Sequence, residues 1–191
     1  MRNNVIWIFV AALGMLQLCI LPQPSQAQGG RANYTIVQAG GMFGVQTSRG
    51  KPLNGYQFQF VFGKNYADRT FAGFGIGNDV YRGQTTISDG NKTISQINTL
   101  PIFADFRQVI APVSMMGTLG LMANAGYAPG LGGSYYRGFL GKAGLTYSHL
   151  LIDDSDLLFS LGYGVQQFNS RFVQTGFFQH QIFLTVGLFV F

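Results

Sequence analysis

Aromatic side chains occupy every second position along residues 56–63, at Tyr56, Phe58, Phe60 and Phe62. In a β-strand successive side chains point to opposite faces, so this alternation places all four rings on one side. The other side carries Gln57 and Gln59. One face of this segment therefore suits a hydrocarbon environment, and the other suits a polar or closely packed one.

The same period-two alternation recurs in eight segments between Asn33 and Phe191, which are separated by clusters of Gly, Pro, Asn, Asp and Ser. No segment has a convincing helical period. The facing of the Gly-rich first segment, residues 34–45, stays open, as does that of the last, residues 180–191, which is apolar on both faces. Elsewhere the predicted apolar face continues through Phe74, Ile76, Val80, Ile102, Phe106, Leu121, Leu145 and Leu161.

The composition narrows the fold class further, because only 10% of the residues are charged while 15% are aromatic. So few charges cannot cover the surface of a water-soluble globule, yet residues 28–191 contain no stretch apolar enough for a transmembrane helix. A closed barrel in lipid satisfies both observations, since it leaves no backbone edge unpaired. The sequence thus predicts an all-β protein, an eight-stranded antiparallel up-and-down transmembrane β-barrel with a narrow interior that side chains fill.

The first 27 residues have the pattern of a secretory signal peptide. Arg2 supplies a positive charge, residues 5–21 are apolar, and residues 25–27 read Ser-Gln-Ala, which suits cleavage after the alanine. We therefore predict a signal peptide at residues 1–27, cleaved to leave a single barrel domain at residues 28–191.

Two other interpretations of this segment are weaker. The apolar stretch is near the lower length limit for an uncleaved membrane anchor, and the cleavage pattern argues against one. Cys19 could mark a lipoprotein, but Leu18 precedes it where such signals have a small residue. Because Cys19 is the only cysteine, the mature protein is expected to have no thiol and no disulfide.

An even number of strands places both chain ends on the same side of the barrel. With the N-terminus in the periplasm, long loops face outward and short turns face inward. The predicted outer loops are residues 46–55, 81–98, 128–135 and 169–177, and the predicted periplasmic turns are residues 64–70, 109–116 and 150–157.

The signal peptide and the alternating strands, together with three short segments, resemble the superfamily of small eight-stranded outer-membrane β-barrels. The segments are Leu-Pro-Ile-Phe-Ala-Asp-Phe-Arg at residues 100–107, Leu-Gly-Tyr-Gly at 161–164 and the terminal Phe189-Val190-Phe191. The pattern is similar to OmpA-like and OmpX-like barrels, especially the short versions of Bacteroidota. The resemblance implies an outer-membrane location, and it implies that Phe189 and Phe191 form part of the signal read by the barrel-assembly machinery.

The polar face collects charged and amide side chains that are expected to point into the lumen. A buried charge must be paired, and opposite charges across a narrow barrel accomplish this, so the favoured interpretation is a paired polar plug. The alternative is a charged passage for a small solute. The predicted lumen network comprises Gln57, Gln59, Asp79, Asp105, Arg107, Asn124, Lys142 and Gln166.

A lipid A-modifying enzyme is a further alternative, because some eight-stranded barrels carry a histidine site. Such a site needs a nucleophile or activated water, a base and an orienting acid within hydrogen-bond reach. Ser148 and His149 fall at the predicted periplasmic end, while His180 and Asp79 fall near the outer end on strands that are not neighbours. The sequence therefore predicts no enzyme activity, no catalytic residue, no metal site and no cofactor.

The expected role is structural or interactive within the cell envelope, and the alternative is a narrow pore. Outer-membrane lipid and lipopolysaccharide are the expected surroundings, the outer loops are candidates for contacting a surface ligand, and the barrel is expected to be monomeric. Twelve basic residues outnumber seven acidic ones, but they are scattered singly, so nucleic-acid binding is not expected. A soluble lipid-binding barrel is a more distant alternative.

Overall fold

The computed structural model describes residues 33–48, 50–87, 92–130, 136–152, 155–169 and 176–190. The predicted signal peptide at residues 1–27 and the terminal Phe191 lie outside this part of the chain. No helix among the described residues is long and apolar enough to cross a membrane.

Every regular element in the described ranges is a β-strand. The strands are β1 (Asn33–Thr47), β2 (Asn54–Tyr66), β3 (Thr70–Ile87), β4 (Lys92–Thr99), β5 (Ile102–Ser114), β6 (Gly117–Ala128), β7 (Gly138–Ile152), β8 (Ser155–Phe168) and β9 (Phe177–Val190). Neighbouring strands pair antiparallel, and β1 also pairs with β9, from Thr35 opposite Val190 to Thr47 opposite Gln179. This last pairing closes the sheet into a barrel.

Nine strands form eight positions around the barrel because β4 and β5 occupy the same position. Both pair with β3, β4 through Thr99 opposite Asp79 and β5 through Ile102 opposite Ile76. Between them stands Pro101, which has no backbone N–H to give to a ladder. Its carbonyl oxygen still accepts a 2.9 Å hydrogen bond from the Gly77 N–H. The protein is a closed eight-stranded antiparallel barrel, as the alternation predicted.

The two ends of the barrel differ in their connections. At the turn end, β2 and β3 join through residues 67–69, and β5 and β6 join through residues 115–116. Ala67 and Asp68 have φ of 55° and 56°, the left-handed geometry of a tight type I′ hairpin. The Asn65 side chain accepts from the Asp68 N–H at 3.0 Å and so supports this turn. The β7–β8 connection, between Ile152 and Ser155, is at the same end. The four connections at the loop end, which join β1 to β2, β3 to β4, β6 to β7 and β8 to β9, are longer.

The predicted outer loop at residues 81–98 is wrong in most of its length. β3 continues to Ile87 and β4 begins at Lys92, with the register shifting between Arg82 and Thr85. This polar stretch lacks the apolar alternation that marked the other strands. An antiparallel hairpin satisfies its own backbone groups, so it extends beyond the barrel without needing an apolar face.

Side-chain exposure confirms the predicted inside-out arrangement. Phe58, Phe60, Leu121 and Leu161 are 42–54% exposed, whereas Gln57, Gln59 and Asn124 are at most 3% exposed. Val80 is an exception on the outer side, because it is buried where Tyr56 and Asn98 flank it across the strands. The barrel therefore turns its apolar side chains outward and encloses its amides.

The structure settles the facing of the two strands that the sequence left open. β1 turns Tyr34, Ile36, Gln38 and Met42 inward, and all of them are buried. β9 turns Gln179, Gln181, Phe183, Thr185 and Phe189 inward and exposes Phe178, Ile182, Leu184, Val186, Leu188 and Val190. Both strands thus follow the same inside-out arrangement as their neighbours.

Close approach at the β1–β9 pairing predicts a difference between two glycines. A Cβ atom on Gly40 would overlap the Leu184 carbonyl oxygen and lie 2.6 Å from the Thr185 Cα, whereas a Cβ on Gly141 would meet nothing within 4 Å. We expect Gly40→Ala to destabilise the barrel by about 1–3 kcal/mol, because backbone atoms cannot easily move aside. Gly141→Ala, the matched control, should leave stability unchanged or raise it by less than about 1 kcal/mol.

The measurement is the temperature at which the folded barrel converts to its unfolded mobility on a gel. Equal midpoints for the two alanine variants would contradict the close backbone approach at Gly40.

Candidate functional site

The candidate site is the polar interior of the barrel. The predicted network residues come from six strands: Gln57 and Gln59 from β2, Asp79 from β3, Asp105 and Arg107 from β5, Asn124 from β6, Lys142 from β7 and Gln166 from β8. Each is at most 4% exposed. The alternation of the strands therefore brings all eight residues to the inner face.

An ion pair between Arg107 and Asp105 lies towards the turn end of this network. The Arg107 Nε donates to both carboxylate oxygens of Asp105, at 3.2 and 3.0 Å. The Tyr34 hydroxyl donates to the same carboxylate at 3.1 Å. With its amide oriented to satisfy both its atoms, Asn124 donates to Asp105 Oδ1 at 3.0 Å. Three side chains thus compensate one buried carboxylate, which would be costly to bury alone.

A run of three glutamines continues from Arg107 across β1 and β2. The Arg107 Nη2 donates to Gln38 Oε1 at 3.4 Å, and the Gln38 amide donates to Gln59 Oε1 at 2.7 Å. The Gln59 amide in turn donates to Gln57 Oε1 at 3.2 Å. Gln38 and Gln59 each accept from one neighbour and donate to the next, so hydrogen bonds that start at Arg107 all run towards the Gln57 amide oxygen.

A second ion pair ends this run. The Lys142 Nζ donates to Asp79 Oδ2 at 3.0 Å and also to Gln57 Oε1. The side chains of Lys142 and Asp79 are 2% and 0% exposed. A continuous hydrogen-bonded chain therefore joins the two ion pairs through the glutamines.

Two outcomes differ from the sequence prediction. Gln166 is buried on the inner face but donates to the Gln167 carbonyl oxygen at 2.9 Å, so it does not join the chain of contacts. Tyr34 and Gln38 do join it, and neither was predicted, because the Gly-rich sequence of β1 leaves its facing open. The register of β1 against β2 places Gln38 opposite Gln59. Because Gln59 faces the interior, this pairing would have identified Gln38, and with it Tyr34, as inward-facing residues.

Apolar side chains form two clusters in the interior. One contains Met42, Leu53, Tyr81, Ile97, Met122, Phe168, Phe177 and Phe183. The other contains Tyr34, Ile36, Val61, Phe71, Phe103, Leu140, Leu158 and Phe189. The polar chain thus lies among apolar groups, which strengthens its electrostatic interactions by lowering the local dielectric.

Leu53 reaches the first of these clusters from the loop between β1 and β2. Its N–H donates to Gln179 Oε1 at 3.0 Å, and the Gln179 amide donates to its carbonyl oxygen at 2.7 Å. One glutamine side chain therefore imitates a paired strand and holds the loop in the barrel mouth. Period-two alternation does not predict this contact, because residues 46–55 were expected to form an outer loop.

The histidines do not assemble the groups of a hydrolase. Strand alternation places Ser148 inside, where its hydroxyl lies 2.6 Å from Thr118 Oγ1, and places His149 beside Tyr147. His180 Nδ1 lies 2.7 Å from the hydroxyl of Tyr163. Neither histidine contacts Asp79, whose carboxylate bonds to Lys142. Among the described residues, no group of three His, Cys, Asp or Glu side chains could hold a metal ion.

Phe189, one of the two predicted assembly-signal residues, faces the interior. Its ring stacks on Tyr34 with 5.4 Å between centroids and meets Phe71 edge-on at 5.1 Å. Phe191 lies outside the described residues. The role of this pair in assembly stays a prediction.

Two solved structures are similar to this barrel over nearly their whole length. Neisserial surface protein A, NspA, is 18% identical with a TM-score of 0.50, and the match covers 85% of this chain and 99% of that one. The outer membrane protein OprG from Pseudomonas aeruginosa is 9% identical with a TM-score of 0.53, covering 84% of this chain and 95% of that one. No protein-family model and no curated protein matches the sequence.

These similarities and the strand pairings define the fold as a small closed eight-stranded antiparallel β-barrel. At these identities the likeness extends to the fold alone. The expected eight-stranded barrel fold is confirmed, while membership of the outer-membrane superfamily and the narrower similarity to OmpA-like, OmpX-like and Bacteroidota barrels stay predictions.

The buried ion pair at Lys142 generates a stability prediction. Lys142→Met leaves the Asp79 carboxylate buried without its counter-charge, so we expect a loss of about 3–5 kcal/mol. The double variant with Asp79→Asn removes both charges and should lose less than Lys142→Met alone. Urea unfolding in detergent micelles measures both. A double variant less stable than Lys142→Met would show that the charges do not depend on each other.

Proposed function

We propose that this protein is a small monomeric integral barrel of the outer membrane with a structural or surface-interaction role, and that it is not an enzyme. The observation that carries the proposal is the exposed apolar belt around a closed barrel whose charges are paired inside. An apolar surface that encircles a protein is incompatible with a stable monomer in water, and it suits the hydrocarbon core of a bilayer.

The height of the belt supports this placement. On β2 the exposed rings run from Tyr56 to Tyr66, and ten residues span roughly 33 Å along a strand. A tilt of about 40° reduces this length to about 25 Å, the height of the apolar band in outer-membrane barrels. Arg82 lies over the Tyr56 ring at 5.5 Å, and the exposed Lys64 lies near Tyr66. Cations therefore flank the belt at both ends, where they reach headgroups.

The chain ends and connections support one orientation. Asn33 and Val190 both lie at the turn end, which we place in the periplasm, and the longer connections then face outward. In this orientation residues 1–27 are removed as a signal peptide after export, and the barrel-assembly machinery reads Phe189 and Phe191. Lipopolysaccharide surrounds the outer rim, and the outer loops are the surface available to a ligand.

Paired charges favour a closed interior over the alternative of a narrow pore. Lys142 and Arg107 both bond to carboxylates, and the amides between them bond to one another. A passing ion would have to break these contacts in a low-dielectric interior, where an unpaired charge costs several kcal/mol. We propose that no solute passes at a measurable rate.

Cell fractionation tests the location. We expect the mature protein to stay in the carbonate-washed outer-membrane pellet and to run faster on a gel before heating than after it, because a folded membrane barrel resists detergent. A protein that the carbonate wash releases would instead be a soluble lipid-binding barrel, and the proposal would be wrong.

Planar-bilayer recording tests the closed interior. We expect no discrete ion-conducting steps from the purified protein. The Ser160→Ala variant, an interior control outside the ion pairs, should also show none. Discrete channels that disappear on Arg107→Ala would refute the closed interior and favour the pore.

A further inference from the structure

A cavity of about 170 Å³ lies in the turn end of the barrel, below the polar chain. Arg107 lines it, together with Phe71, Thr118, Thr146, Ser148 and Phe189. All of these residues belong to the inner face, so the cavity belongs to the lumen rather than to the outer surface. We propose that it binds a small neutral molecule rich in hydroxyl or amide oxygens, of the size of one sugar ring.

The Arg107 guanidinium supplies the anchor. Its Nε is committed to Asp105 and its Nη2 to Gln38, but its Nη1 has no hydrogen-bond partner among the described residues. Arg107 is only 4% exposed, and a buried donor without an acceptor costs about 1–3 kcal/mol. A ligand oxygen in the cavity would satisfy this donor.

The charges around the cavity select a neutral acceptor. Asp105 already balances the charge of Arg107, and the carboxylates of Asp68 and Asp156 also line the cavity. No other cationic side chain of the described residues lines it. An anion would therefore enter against a negative potential, whereas a hydroxyl or amide oxygen would not.

The remaining walls fit a polyhydroxylated molecule. The hydroxyls of Thr118 and Ser148 lie 2.6 Å apart, and such groups both donate and accept hydrogen bonds. Phe71, Leu158 and Phe189 supply an apolar wall that suits the C–H face of a sugar ring. The volume corresponds to roughly five or six waters at about 30 Å³ each, which is the scale of a small polyol or a single sugar ring.

Saturation-transfer NMR on the purified barrel in lauryldimethylamine oxide, a detergent without sugar groups, tests the proposal. The probes are N-acetylglucosamine, acetate, methyl phosphate and glycine, each of which has carbon-bound protons that the measurement detects. We expect saturable transfer to N-acetylglucosamine and none to the other three. Arg107→Lys keeps a cation beside Asp105 but loses Nη1, so it should weaken binding at least tenfold.

Thr146→Leu provides a second test that leaves the ion pair intact, since it fills the cavity with a larger side chain. It should abolish transfer, while Ser160→Ala, which does not line the cavity, should leave transfer unchanged. Heat-modifiable mobility shows that each variant is folded, and if Arg107→Lys fails to fold, Thr146→Leu decides the outcome.

Preferential binding of methyl phosphate, acetate or glycine would overturn the neutral-ligand assignment. Absence of transfer to N-acetylglucosamine, or transfer that persists in a folded Thr146→Leu variant, would overturn the site itself. Because the measurement uses purified protein, these results are independent of the fractionation and conductance tests of the proposed function.

Discussion

Closure between β1 and β9 is the constraint on which the rest of this structure depends. Twelve residue pairs, from Thr35 opposite Val190 to Thr47 opposite Gln179, join the first strand to the last. In hydrocarbon an unpaired N–H or C=O costs several kcal/mol, so an open sheet of this composition has no stable place in a bilayer. Once the sheet is closed, the remaining determinant of the structure is which side chains face the interior and which face outward.

Because many apolar residues face outward, the interior of this barrel contains more polar side chains than the core of a water-soluble domain. A water-soluble domain gains stability by burying aliphatic groups, but here much of that surface faces outward. The interior therefore combines two apolar clusters with directional contacts that run from Tyr34 through Arg107 and the glutamines to Lys142. Such contacts lose much of their value when one member is missing, because the neighbour is left buried and unsatisfied.

Much of the fold was predictable from the sequence, because period two is a strong signal when the two faces differ in polarity. The apolar positions Phe58 and Leu121, out of phase with the amides Gln57 and Asn124 on the same strands, indicated correctly which side would be inside. The same logic failed for β1, whose glycines carry no polarity, and for β9, which is apolar on both faces. Their facing follows from pairing with each other and with β2, which no local pattern reveals.

The interior was predicted less completely than the barrel. The two ion pairs were expected as a group of charges, but their partners Tyr34 and Gln38 were not, since they lie on the ambiguous first strand. The contact between Leu53 and Gln179 joins residues 126 positions apart. A contact between a loop and a distant strand depends on tertiary geometry, and periodicity carries no information about it.

Pro101 separates two parts of the wall beside β3, the β5 pairing and the β4 pairing, and the two parts tolerate insertions differently. Below it, the register of β3 against β5 fixes the circumference and the tilt of the barrel, and a one-residue insertion would turn every side chain to the wrong face. Above it, β4 pairs with β3 alone. Next to the break, Ile97 and Thr99 are still buried in the interior, so insertions and deletions can accumulate without disturbing the wall only beyond the register shift between Arg82 and Thr85. Sequence diversity among relatives should concentrate there, while the segment from Ile102 to Arg107 keeps its length.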